Sequence, residues 1–324
     1  MMTRRMAHGM LFGFLLVACV ETRAQSEDTP IFLQGPASKK EAEQRVSKEI
    51  VRLRDEHKLL SKAEIEKQLL APQPGVVPLQ KPREEKLSSD QVAAWARGAN
   101  LRVGYCYLCP NCDDWHVNLA GGYAIAEDVI VTCHHVLDSK TKMRDGHLVA
   151  MDLEGNVAAA VAVLASSKAM DVAVVKVAGA KFTPVPLNRD VPQGASSYCF
   201  SYPLSQQGYF SAGIVNRFYW TEGYRGEARE SLDAKRHLRV DFSNDWAPGS
   251  SGSPLFDQAG NVVGHVSTIS GLSGGKGKPT LITLHVGIPA GSVEALVRAM
   301  DDPEEILRIA NAEKDQNPVP SSDG

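Results

Sequence analysis

The sequence predicts an all-β core with helical segments on either side. Two observations carry this reading. Between Leu101 and Val177, short β-rich runs alternate with turns such as Arg144-Asp145-Gly146 and Leu153-Glu154-Gly155-Asn156, the pattern of an antiparallel barrel. Pro184, Pro186 and Pro192 then mark a crossover into a second β unit. The helical signals lie outside this region, at residues 36–70, after Ser88 and over Ser292–Met300.

From the amino terminus, residues 1–24 have the form of an export signal, with Arg4 and Arg5 ahead of the apolar run Met10–Val20. That run is too short to span a bilayer. Leu16-Val17-Ala18-Cys19 is similar to a lipoprotein signal, which would leave a lipidated Cys19 as membrane anchor. Thr22-Arg23-Ala24 instead fits ordinary signal cleavage. Both place the mature protein outside the cytoplasm, as a periplasmic, membrane-anchored or secreted species. Residues 25–87 read as a helical extension and a linker. Ile50, Leu53, His57, Leu60 and Glu64 give a thin helical face, as in a solvated helix or spacer, and residues 71–86 are Pro-rich. Ser88-Ser89-Asp90-Gln91 offers a helix start and Gly98 a stop. The 35 basic and 38 acidic residues leave a net charge of −3, which gives no basis for nucleic-acid binding.

Cys106-x-x-Cys109-x-x-Cys112-x-x-x-His116 offers three thiolates and an imidazole, the donor set of a structural zinc site. Export favours disulfides instead, and both readings stay open. Cys133 and Cys199 sit in apolar strand sequence and read as buried fillers.

Three stretches carry chemistry. Val129-Ile130-Val131-Thr132-Cys133-His134-His135-Val136 delivers a histidine at the end of a strand. Met170-Asp171-Val172-Ala173-Val174 places an aspartate at the start of another. Gly249-Ser250-Ser251-Gly252-Ser253-Pro254 is a tight turn that would push a serine hydroxyl into a cleft. These motifs, in the order His, Asp, Ser, resemble the trypsin-like serine peptidases, most closely the bacterial HtrA-type and glutamyl-endopeptidase-like branches. The resemblance covers about residues 100–300 and includes Gly121–Ile125, Ser211–Val215 and Gly264-His265-Val266-Ser267.

The resemblance implies two six-stranded antiparallel barrels of chymotrypsin type over residues 88–300, with an N-terminal helical extension, a C-terminal helix and a disordered tail at 301–324. It implies His135, Asp171 and Ser251 as the catalytic triad, with Gly249 and Ser251 as oxyanion donors and no cofactor for catalysis. His134 is read as a neighbour pointing away from the cleft. Ser267 matches the serine that supports the triad aspartate. Asp245, Ser267 and Ile269 match positions around the primary specificity pocket. Asp245 falls where trypsin carries the carboxylate that selects Lys or Arg, but Ala247 replaces the cysteine that fixes that loop. A pocket for aliphatic side chains is preferred, with Lys/Arg as alternative. His265 falls one residue short of the substrate-binding histidine of glutamyl endopeptidases and reads as a strand residue. Ser250 replaces the aspartate that pairs with a new amino terminus in trypsin-type zymogens, so no activating cut is expected. Ser270–Pro279 reads as a mobile loop and Thr221–Arg239 as an exposed hairpin or loop. No PDZ domain is expected after the barrels. The expected function is an exported serine endopeptidase acting on polypeptides. The alternative is an inactive barrel used to bind protein.

Overall fold

A computed structural model describes residues 39–206, 208–221, 237–275 and 277–311. The export segment with Cys19, most of the Thr221–Arg239 stretch and the end of the tail lie outside the described residues.

Strands β1 (Asn100–Leu108), β2 (Trp115–Ala126), β3 (Val129–Thr132), β4 (Asp145–Met151), β5 (Val157–Ser167) and β6 (Val172–Gly179) close a first barrel in the order β1-β2-β3-β6-β5-β4. Strands β7 (Ser196–Ser201), β8 (Tyr209–Trp220), β9 (Leu238–Phe242), β10 (Pro254–Phe256), β11 (Val262–Ser273) and β12 (Thr280–Pro289) close a second, in the order β10-β11-β12-β9-β8-β7. All pairings within the barrels are antiparallel. The two six-stranded barrels are those expected. Asp145 and Gly146, expected in a turn, open β4 by pairing with Leu108 and Tyr107.

The side-chain alternation of strands explains how the barrels meet. On β3, Ile130 points into the first barrel while Val129 and Val131 point out. On β6, Ala173, Val175 and Val177 point in while Val172 and Val174 point out. The outward set joins Tyr198, Phe200, Phe256, Val262 and Ile288 of the second barrel in one buried layer. Val129–Val131 and Val172–Val175 are buried on both faces, and these stretches are accordingly continuous apolar runs. Into the same layer pack α3 (Ser89–Ala99), α5 (Ala290–Ala299) and α6 (Pro303–Asn311).

Several expectations about the flanking segments are corrected. Residues 39–70 form two helices, α1 (Lys39–Glu56) and α2 (Lys62–Leu70), rather than a spacer. Val46, Ile50 and Leu53, spaced by four and three residues, make a narrow stripe. All three are fully buried against Cys106, Val149, Val157 and Ala159, outward-facing residues of the first barrel. His57 is exposed and Glu64 only half-buried, because the chain breaks after Glu56 and restarts at a capping box between Ser61 and Glu64. Leu60, Ile65 and Leu69 then join the core of the first barrel.

The Pro-rich stretch lacks helix and strand but is not a free linker. Gln73 N–H donates to Val163 O (2.8 Å), Arg83 N–H to Asn261 Oδ1 (2.7 Å), and the Arg83 guanidinium lies 4.6 Å from the Trp95 ring centre. Val77, Leu79 and Leu87 pack on the layer between the barrels. The expected tail begins as helix α6, whose Ile306 and Ile309 are buried; the acidic residues around them mask this short stripe in the sequence. The expected mobile loop at Ser270–Pro279 is narrower, since β11 runs to Ser273 and β12 starts at Thr280.

Candidate active site

The β-branched run of β3 ends at Cys133, and one helical turn, α4 (His134–Leu137), follows. Successive residues of a helical turn diverge by about 100°, so the two histidines part. His134 is buried, with Nδ1 2.8 Å from the Ser166 hydroxyl. That pair has no open face for a substrate. The His135 side chain keeps 48 % of its surface exposed.

Asp171 precedes β6 in a left-handed conformation (φ 62°), a region that Asp tolerates better than most residues. Its N–H is tied to Lys168 O (3.1 Å). The carboxylate lies 2.9 and 3.0 Å from His135 Nδ1 and accepts from the His135 N–H at 3.1 Å. A carboxylate only accepts, so Nδ1 carries the proton and Nε2 is left with a free lone pair. Burial opposes the charge of Asp171. The hydrogen bond and charge of His135, with that of Ser267, outweigh it and hold the carboxyl at about 2. Burial likewise opposes the His135 cation, but the hydrogen bond and charge of Asp171 raise its pKa above the ordinary 6.5.

Ser267, on β11, connects the barrels. Its Oγ donates to Asp171 Oδ2 (2.7 Å), and its carbonyl accepts from Ser251 Oγ (3.4 Å). Ser251 sits on the turn before β10. Gly121 N–H donates to Ser251 O (2.7 Å), while Gly252 N–H donates to Val266 O (2.7 Å). Gly252 has φ +82°, and a Cβ there would stand 2.4 Å from both Gly121 O and Thr132 Oγ1. Only glycine lets the turn lie this close to β2 and β3.

The same turn presents two backbone donors. Ser250 N–H is used by Ala247 O and Ser253 N–H by Ser250 O. Among the described residues, the N–H groups of Gly249 and Ser251 donate to no protein acceptor. The Pro248 carbonyl accepts from Leu204 N–H (2.8 Å). In a trans peptide the carbonyl and the following N–H point in opposite directions. The Gly249 N–H is therefore directed away from the Leu204 loop. Leu204 and Ser205 adopt positive φ (50° and 66°) in making this contact. Sequence motifs carry no signal for that loop, nor for Arg239, whose guanidinium donates to Ala169 O (2.9 Å), two residues before Asp171.

Around the pocket, Asp245 is exposed, so it supplies no buried carboxylate there. The next residue, Trp246, is buried instead. Its Nε1–H donates to Thr268 O (3.2 Å), and its ring meets that of His285 edge-on at 4.9 Å. Ile269 is 40 % exposed on the strand beyond Ser267. His265 is fully buried, 3.3 Å from the Tyr123 hydroxyl, and burial pushes its pKa down to about 4, so it is a neutral core residue.

The cysteine-rich stretch divides. Cys109 and Cys112, in the loop between β1 and β2, and His116, at the start of β2, bring their ligand atoms together. Cys106 does not join them, because it lies on β1 and is buried beneath α1. Cys133 and Cys199 are buried as expected.

The family model for the trypsin-like peptidase domain matches residues 120–264, a span that contains His135, Asp171 and Ser251. No curated protein matches the chain.

Proposed function

Residues 120–264 of this chain form a trypsin-like peptidase domain, carried on the two six-stranded barrels of a chymotrypsin-fold serine peptidase, and from that premise we propose that the protein is an exported serine endopeptidase. His135 Nε2 takes the proton of Ser251 Oγ as the oxygen attacks the scissile carbonyl. The carbonyl oxygen becomes an oxyanion held by the N–H groups of Gly249 and Ser251. The imidazolium gives its proton to the leaving amine, the peptide C–N bond breaks, and an acyl-enzyme remains. Water then repeats the sequence and frees the acid. Asp171 orients His135 and stabilises its cation. In the resting protein the Ser251 hydroxyl donates to Ser267 O; the reaction requires it to leave this acceptor and turn to His135 Nε2.

The observation that carries this reading is the chain of contacts from His135 through Asp171 and Ser267 to Ser251, at 2.9, 2.7 and 3.4 Å. Residues 1–24 support export, through either a lipidated Cys19 or ordinary cleavage. The exposed Asp245 and the buried Trp246 support a pocket for aliphatic side chains over one for Lys or Arg. The test is hydrolysis of a peptide library by the wild type and by Ser251→Ala and His135→Ala. Both variants are expected to lose about three orders of magnitude or more while staying folded. Retention of a tenth of the activity in either would show that the residue is not catalytic. A wild-type protein that is folded yet inert would favour the binding-module alternative.

A further inference from the structure

We propose that the loop between β1 and β2, with the start of β2, holds a divalent metal ion of the zinc class through Cys109 Sγ, Cys112 Sγ and His116 Nε2, and that this ion locks helix α1 to the first barrel. The three ligand atoms all lie within 4.8 Å of one another, and Cys112 Sγ is 3.0 Å from His116 Nε2. Tetrahedral zinc, with bonds of about 2.3 Å to sulfur and 2.0–2.1 Å to nitrogen, separates its ligand atoms by about 3.5–4 Å. The cluster therefore closes on an ion with only small side-chain movements.

The loop is shaped for this. Cys109 N–H donates to Asp114 O (3.0 Å), Asp113 adopts a positive φ of 58°, and Asn111 N–H points at Cys109 Sγ (3.4 Å). A hydrogen bond to a ligating sulfur stabilises its thiolate.

The second observation is Glu43. Its Oε1 lies 3.1 Å from His116 Nδ1. A carboxylate accepts, so Nδ1 holds the proton and the Nε2 lone pair faces Cys112. A carboxylate behind a ligating histidine fixes the tautomer and strengthens the ligand in metal sites generally. Glu43 belongs to α1, so the ion would be mechanically coupled to that helix. It would hold the start of α1, where Val46, Ile50 and Leu53 hold the middle and an Arg54–Asp145 ion pair holds the end. Cys106 is buried beneath α1, so among the described residues the site offers three protein donors, with Cys112 exposed.

The test is titration of the reduced, metal-free full-length protein with Co²⁺ under anaerobic conditions. We expect one equivalent to bind with thiolate-to-cobalt charge-transfer absorption and tetrahedral visible bands, both displaced by Zn²⁺. Cys112→Ser and His116→Ala should abolish the bands, with circular dichroism confirming that each variant is folded. Cys106→Ala should keep them. Glu43→Gln should weaken binding about 10- to 100-fold. Zn²⁺ should slow amide exchange in α1 of the wild type and do so much less in Glu43→Gln. Absence of cobalt bands in the reduced protein overturns the proposal. So does binding that survives Cys112→Ser, or a Cys109–Cys112 disulfide in protein recovered from the exporting cells.

Discussion

Asp171→Asn isolates what the carboxylate does. In the wild type Asp171 accepts from the backbone and ring of His135 and from Ser267 Oγ. An asparagine oxygen still accepts, but the amide nitrogen donates and has no lone pair to offer. Facing His135, the amide favours the tautomer with a bare Nδ1 and a protonated Nε2, which cannot take the Ser251 proton. The expected loss in kcat/KM at neutral pH is about 10⁴, the size seen when this substitution is made in triads of this type.

The pH profiles should change in a defined direction. With Asp171 in place, the acid limb of kcat/KM reports a His135 pKa above 6.5, so activity falls as pH drops through that raised value. In Asp171→Asn only burial remains, and the midpoint should move down, below 6.5. Stability changes too. The Asp171 pKa falls from 3.8 to about 2 on folding, a difference of roughly 1.8 pH units that corresponds to about 2 kcal/mol. That stabilisation is fully present above about pH 4 and is lost as pH falls through about 2. The matching acid-side dependence should vanish in the variant. The assays are kcat/KM against pH with a peptide substrate, and urea unfolding between pH 2 and 7. A loss below tenfold, or an acid limb that does not move, would refute the assigned pairing.

Other consequences follow from the same contacts. Gly252→Ala forces a Cβ against two oxygens 2.4 Å away at positive φ; it should lower activity by about 100-fold or more by displacing the Ser251 turn, a shift of order 1 Å being enough for that, and unaltered kinetics would contradict the close approach. Leu53→Ala should destabilise the protein by about 2–5 kcal/mol in urea unfolding. Val51→Ala, at a position 58 % exposed on the same helix, should change it by less than about 0.5 kcal/mol; equal effects would mean that α1 is not docked. Asp245→Ala should leave the side-chain preference of cleavage unchanged, whereas loss of cleavage after Lys or Arg would restore Asp245 to the pocket.

The β architecture was legible because strand periodicity and turn residues are local signals, as in the run from Val129 to Thr132 and the turn at Gly155. Both histidines lay in view, but only the divergence of about 100° between neighbours on one helical turn separates the buried His134 from the exposed His135. The docking of α1 was not legible. Its stripe of three residues is thin, and its partners Val149, Val157 and Ala159 sit in strands that read as apolar throughout. The exposure of Asp245 and the burial of Trp246 depend on how one loop meets the strand at Thr268, a contact between residues far apart in sequence. The same holds for Glu43 and His116, which are 73 positions apart and meet only after α1 has packed. Cys106 shares the cysteine spacing, yet its position on β1 turns it into the core.

A fluorophosphonate probe tests the proposed nucleophile without knowledge of the natural substrate, because it phosphonylates only a serine activated by its base and oxyanion donors. Intact-mass measurement of the wild type should show one adduct per chain, mapped by peptide digestion to Ser251, with loss of labelling in Ser251→Ala and strong slowing in His135→Ala. A folded wild-type protein that takes up no probe, or an adduct on any residue other than Ser251, would contradict the assignment.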